Sequence, residues 1–197
     1  RGLGDVYKRQ LPIVRKEIAA TKKKKAVERS SIDQRIDYRW IDLRTDENQL
    51  MFKAQSCFVN AMRKFLLDRN FIEIHTPKLI AAASESGSEV FKVDYFDRNA
   101  YLAQSPQFYK QMAMAAGFER IFETGPVFRA EKSYTNKHST EFSGFDLEFS
   151  YITSYKDVMK MEEELLTAGL QAVKDNYGDQ IKEMFGQEVI VPTTPFP

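Results

Sequence analysis

The chain has 197 residues, 43% hydrophobic and 13% aromatic, which is enough for one domain with a real core and not comfortably for two. Lysine plus arginine number 29 against 28 aspartates plus glutamates, and the net charge of +1 excludes a globally basic nucleic-acid coat. A single cysteine, Cys57, excludes an intrachain disulfide and a cysteine-based zinc site, and no apolar run approaches the ~20 residues that cross a bilayer.

Residues 1–10, RGLGDVYKRQ, carry no sustained period and are set aside as a non-native or artefactual segment. Residues 11–35 are charge-dense around Lys22–Lys25. They read as a hinge or linker, solvated, helically frayed, or brushing RNA phosphates. From Asp46 the pattern changes. Leu50, Ala54, Cys57, Phe58, Ala61, Phe65 and Leu66 recur at three- and four-residue spacings, which predicts one amphipathic helix ending near Asn70. Phe71–His75 reads as a short strand that Pro77 stops, because proline has no N–H for a ladder.

Ala81–Glu89 is a small-residue loop. Val90–Phe96 and Ala100–Ala103 read as a hairpin around Asp97-Arg98-Asn99. Ser105 and Pro106 are expected to cap and open a helix that ends at Gly117. Arg120–Arg129 is a strand with a bulge or bend expected at Gly125-Pro126, and Phe142 onward alternates as a second strand. Tyr155–Asn176 reads as another amphipathic helix, striped by Val158, Met161, Leu165, Leu166, Leu170 and Val173. A short strand is expected at Val189–Val191. Strands arriving in hairpins favour an α+β fold, an antiparallel sheet flanked by helices. No glycine-rich phosphate loop follows a strand.

Several residues carry chemistry. Arg129 sits where a strand runs into a polar loop holding Lys137, His138 and Ser139. A guanidinium there offers a planar fork for phosphate, or a surface pair with Glu131. Asp146 and Glu148, two apart on a strand, share a face. Gln107 and Lys110, three apart on a helix start, also share a face, and either meet a small anionic ligand or face solvent. Glu85 and His138 are loop residues whose ordinary state is hydration. Phe142 is a flat surface for a purine or a core aromatic.

These residues agree with one family at once. Phe128-Arg129-Ala130-Glu131, the loop through His138, and Glu141-Phe142 with Asp146-Leu147-Glu148 resemble motif 2 of the class II aminoacyl-tRNA synthetases. The long helix and Phe71–Pro77 resemble motif 1, and Arg39–Arg44 resembles the entry to the catalytic domain. Ser105–Gln111, SPQFYKQ, is similar to the aspartyl-tRNA synthetases of archaeal and eukaryotic type. The resemblance implies that residues 36–197 are the N-terminal part of a class II catalytic core, incomplete at the C-terminus, without motif 3 and inactive alone. It implies an aspartate–tRNA ligase that forms aspartyl-adenylate from aspartate and ATP with Mg²⁺, then charges tRNA(Asp), as a cytoplasmic homodimer.

By position it implies Arg129 on the aspartate carboxylate and α-phosphate, as the catalytic residue. Glu131 and Phe142 fall on adenine, with Lys137, His138 and Ser139 on the ATP phosphate side. Lys110 meets the aspartate side chain, Gln107 and Asp146 its ammonium, and Glu85 lies on a closing loop. Lys137 and Ser139 depart from the arginine and leucine common in relatives. The alternatives are a non-discriminating aspartyl- or an asparaginyl-tRNA synthetase, or a non-catalytic relative kept for dimerisation or RNA binding.

Overall fold

The computed structural model describes residues 16–21, 24–28, 30–82, 89–132, 135 and 137–196. They divide into two compact units, Arg1–Val59 with Gly169–Val191, and Asn60–Ala168 with Pro192–Pro197. Length alone favoured one domain. The division falls within two long helices, of 22 and 31 residues. At 1.5 Å per residue these run roughly 33 and 46 Å, and a single core for a chain this short does not cover such lengths.

In the first unit, β1 (Lys16–Thr21) and β2 (Lys24–Glu28) form an antiparallel ribbon. This corrects the reading of residues 11–35 as a linker. The β-branched Ile18, Thr21 and Val27 favour extended backbone, which a ladder then satisfies. Helix α1 (Ile32–Asp37) is capped by Ser31, whose Oγ accepts from Gln34 N at 3.3 Å. Then come α2 (Arg39–Asp42) and α3 (Asp46–Leu67).

Asp42 is buried, and a buried carboxylate needs donors. It has Arg39 Nη1 at 2.6 Å, Arg35 Nε at 2.8 Å and Asn48 Nδ2 at 3.0 Å. The Arg35 hydrogen bond and the other cationic contacts outweigh burial and hold its pKa below the ordinary carboxylate value. Leu50, Ile41 and Val173 supply the apolar burial.

Helix α5 (Tyr155–Phe185) runs well past the expected end at Asn176. Gly178 does not break it, because one helical glycine costs only about 1 kcal/mol. The stop is Gly186, at φ +68°, whose N–H reaches Lys182 O at 2.9 Å. No strand forms at Val189–Val191, where the described residues carry no ladder.

The second unit holds two three-stranded sheets. One is ordered β3 (Ile72–Glu73), β7 (Arg120–Phe128), β8 (Glu141–Phe149), the other β4 (Leu79–Ile80), β6 (Arg98–Leu102), β5 (Lys92–Tyr95). The α+β class stands, with one refinement. β3 pairs parallel to β7, because α3 and a left-handed Asn70 (φ 63°) return the chain between them. The β5–β6 turn falls at Phe96-Asp97, one position earlier than expected, with Tyr95 opposite Arg98. Helix α4 (Gln107–Ala115) begins after Pro106, so Ser105 caps from one position further out, its Oγ accepting from Gln107 N at 3.2 Å.

The expected bulge at Gly125-Pro126 is absent, and β7 and β8 stay in register from Arg120↔Phe149 to Phe128↔Glu141. The reason lies in N–H direction. Arg129 N donates across the hairpin to Thr140 O at 2.8 Å, whereas Phe128 N donates away from it, to Ala103 O at 2.9 Å. Pro126 shares the parity of Phe128, so its missing N–H costs the hairpin nothing.

Candidate active site

The β7–β8 register sorts side chains onto two faces. One face carries Phe122 and Phe145, stacked at 5.9 Å, and Phe149 edge-on to Phe71 at 5.9 Å. It is an aromatic core. The other carries Ile121, Glu123, Gly125 and Val127 opposite Glu148, Asp146, Gly144 and Phe142. This second face carries the candidates Asp146 and Phe142, and Lys110 reaches it from the helix.

At one end of it, α4 lies on the sheet. Ser150 Oγ reaches Met114 Sδ at 3.3 Å, and Lys110 projects onto β8. Lys110 is 5% exposed. Its Nζ is held by Asp146 and, at 3.1 Å, by Glu148. Burial works against the ammonium, but the hydrogen bonds and charges of Asp146 and Glu148 outweigh it, so the pKa stays above the ordinary lysine value. The shared face of Asp146 and Glu148 is thus used, and by Lys110 itself. Gln107 stands one helical turn before Lys110, half-buried.

Beside this grip lies a cluster that sequence reasoning missed. Glu123 is 3% exposed. It accepts from Thr76 Oγ1 at 2.7 Å, Lys78 Nζ at 2.8 Å and Thr76 N at 2.9 Å. Desolvation would raise its pKa, but Lys78 and Thr76 together hold it below the ordinary value. The available signal was a lone carboxylate inside the apolar run Ile121–Val127, since such a group is buried only when paired. Lys78, Lys110, Glu123, Asp146 and Glu148 sum to two cations and three carboxylates, leaving one negative charge for a ligand ammonium to balance.

At the other end, the Arg129 guanidinium lies 5.7 Å from the Phe142 ring centroid. Phe142 is 40% exposed, so its ring is not core. Glu131 borders a recess of about 480 Å³ that also touches Phe91, Lys132 and Thr140. Lys137, His138 and Ser139 are exposed, and His138 Nδ1 lies 2.6 Å from Thr135 Oγ1. These three are placed on the loop and not drawn onto the sheet face. Glu85 lies outside the described residues. Chemically, the face joins a buried cluster of opposite charges, with one carboxylate in excess, to an aromatic and guanidinium pair suited to a nucleotide.

A family model described as tRNA synthetases class II (D, K and N) matches residues 31–196. The aspartate–tRNA(Asp/Asn) ligase of Methanopyrus kandleri is 48% identical over 167 residues, covering 85% of this chain and 38% of the relative. A crystal structure of a putative aspartyl-tRNA synthetase from Leishmania major superposes with a TM-score of 0.78 at 36% identity, over 91% of this chain and 35% of that one. Asparaginyl-tRNA synthetase from Pyrococcus horikoshii, complexed with asparaginyl-adenylate, superposes at 0.73 with 36% identity, over 78% and 35%. The chain therefore spans little more than a third of the length of these relatives.

Proposed function

Because the chain belongs to the class II tRNA synthetases of the D, K and N group, we propose that its parent protein is an aspartate–tRNA ligase and that the β7–β8 face is its adenylate-forming site. The observation that carries this is the buried Lys110, fixed by Asp146 and Glu148 on the same sheet face as Phe142 and Arg129. An amino-acid grip and a nucleotide grip then lie along one hairpin.

In the first step a carboxylate oxygen of aspartate attacks the α-phosphorus of ATP, and the bond to pyrophosphate breaks. In the second, a ribose hydroxyl at the 3′ end of tRNA(Asp) attacks the acyl carbon and AMP leaves. Both steps need positioning and charge neutralisation more than a protein nucleophile. Arg129 neutralises the α-phosphate and the reacting carboxylate, Phe142 stacks the adenine, and Glu131 accepts from its amino group. Lys137, His138 and Ser139 attend the distal phosphates. An ammonium has three N–H donors. Two of those on Lys110 meet Asp146 and Glu148, and the third serves the aspartate side chain. Asp146 and Gln107 hold the substrate ammonium, and Glu85 closes over it.

Among the described residues no three His, Cys, Asp or Glu side chains could hold a metal. Mg²⁺ would enter with ATP and neutralise the charge of its phosphates.

Asparagine is the second reading. It is favoured by the two carboxylates that already neutralise Lys110 in the absence of ligand, which ease acceptance of a neutral amide. Pyrophosphate exchange by the complete protein, with each amino acid, decides between them. Aspartate is expected to lead by about 10⁴-fold, since a site built for a charged group rejects the analogue lacking it. Comparable exchange with both amino acids would sink the aspartate reading.

Dimerisation is supported by apolar side chains left exposed at the end of α3 and on the strands after it, Leu67, Ile72 and Leu79. Sedimentation of the complete protein at micromolar concentration as a dimer, and of Ile72→Asp as a monomer, is the expected outcome. Sedimentation of the unmodified protein as a monomer would refute it.

A further inference from the structure

Between the two grips the sheet carries two glycines. Gly125 and Gly144 stand directly opposite each other in the β7–β8 register, on the face that carries Asp146 and Phe142. The two glycines have different reasons to be glycine. A Cβ on Gly125 would meet Lys78 Cε and Glu123 Oε1, both at 3.5 Å, so that position makes room for the arm of Lys78. The atoms nearest to a Cβ on Gly144 would be the Val127 methyls at 3.8 Å and Gly125 O at 3.9 Å, ordinary contact distances. Its φ is not in the left-handed region, so the backbone does not require glycine either.

Glycine inside a strand weakens it, and it marks places where a ligand or another backbone comes close. At Gly144 the nearest atoms stand at ordinary contact distance from a Cβ, so packing among the described residues does not demand glycine there.

The spacing says what does. Asp146 lies two residues along β8 in one direction and Phe142 two residues in the other, each about 7 Å from Gly144 at strand rise. Asp146 grips Lys110, and Phe142 lies beneath Arg129. A molecule held at both ends must pass over Gly144.

We infer that Gly144 is a specificity-determining position of this site, its missing side chain leaving the strip of sheet over which the acyl-phosphate linkage of an aminoacyl-adenylate lies. This rests on the adenylate-forming reading above. A side chain at 144 lifts the linkage while leaving both end grips intact. It therefore penalises the joined ligand and spares its halves. A merely structural glycine would affect all three alike.

The test uses the complete protein and a non-hydrolysable sulfamoyl analogue of aspartyl-adenylate, with AMP and aspartate titrated separately by calorimetry. Gly144→Val is expected to weaken the analogue by about 100-fold, the loss that about 2.7 kcal/mol of overpacking produces. Gly144→Ala, which adds a single methyl, is expected to weaken it by about 10-fold, or about 1.4 kcal/mol. AMP and aspartate should bind each variant as they bind the unmodified protein. Ser143→Val, on the same strand but the opposite face, should change none of the three. Unchanged analogue affinity in both Gly144 variants overturns the inference. So does an equal loss of analogue, AMP and aspartate. If the valine variant does not fold, the alanine variant carries the test. Failure of the unmodified protein to bind the analogue would instead overturn the adenylate reading itself, and this inference with it.

Discussion

Replacing Lys110 by methionine keeps the length of the side chain and removes its charge. In the structure that charge is 5% exposed and is shared by Asp146 and Glu148. Removing one member of a fully buried ion pair costs about 3–5 kcal/mol, because the partner charge stays unpaired. Here Asp146 and Glu148 retain 33% and 32% side-chain exposure, so water recovers part of that loss. The expected destabilisation is about 2 kcal/mol after discounting for this hydration. It should be complete near neutral pH. Burial disfavours the ammonium, but the two carboxylates hold its pKa above 10.5. Their stabilisation is therefore fully present below pH 10.5 and is lost only as pH rises through the folded value.

The functional loss should be far larger and confined to one substrate. Aspartate-dependent pyrophosphate exchange by the complete protein is expected to fall by about 10⁴-fold, while AMP binding is retained. Lys110→Arg keeps the charge but forces a bulkier planar group into a closed site, so it should restore part of the stability and little of the activity. The assays are urea unfolding at pH 7 and exchange at saturating ATP. Methionine at 110 with undiminished aspartate activation would refute the assignment of Lys110 to the substrate. An unchanged unfolding free energy would refute the ion-pair reasoning.

Three further outcomes are expected. Glu123→Gln should cost about 2 kcal/mol at pH 7, since it leaves Lys78 beside an uncharged amide. Because the Glu123 pKa lies below 4.5, its stabilisation is present above pH 4.5 and is lost as pH falls. Urea midpoints measured from pH 7 down to 3 should therefore converge for the two proteins, and parallel curves would contradict this. Arg129→Ala should leave stability within about 0.5 kcal/mol, because the side chain is exposed. It should lower pyrophosphate exchange by about 10²-fold or more, the loss typical of a removed charge-stabilising donor. On α5, Gly178→Ala should stabilise by about 1 kcal/mol, since its Cβ would meet only Lys174 Cγ at 3.7 Å. Gly186→Ala should destabilise, because φ +68° strains any side chain. Thermal melts of both variants check the sign, and a stabilising Gly186→Ala would contradict the C-cap assignment.

The amino-acid sequence by itself determined the longer elements of the second unit and the faces on which their charged residues lie. Apolar spacing from Leu50 to Leu66 defines α3, and alternation from Phe142 defines β8, because burial of one face imposes the period of the element. Strand parity alone placed Asp146 and Glu148 on one face, and helical spacing placed Gln107 beside Lys110. Where local signals compete, the sequence misled. It predicts a helix end at Asn176 and a bulge or bend at Gly125-Pro126, yet a single glycine such as Gly178 costs a helix little and a proline costs a hairpin nothing when its nitrogen faces outward.

The tertiary structure decided what pairs with what. That Lys110 is held by Asp146 and Glu148, that Glu123 is held by Thr76 and Lys78, and that Gly125 faces Gly144 all depend on contacts between residues 19 to 47 positions apart in the chain. Such contacts have no local period. They are set by the register of β7 on β8 and by where α4 lands on the sheet, and those follow from the packing of the whole unit.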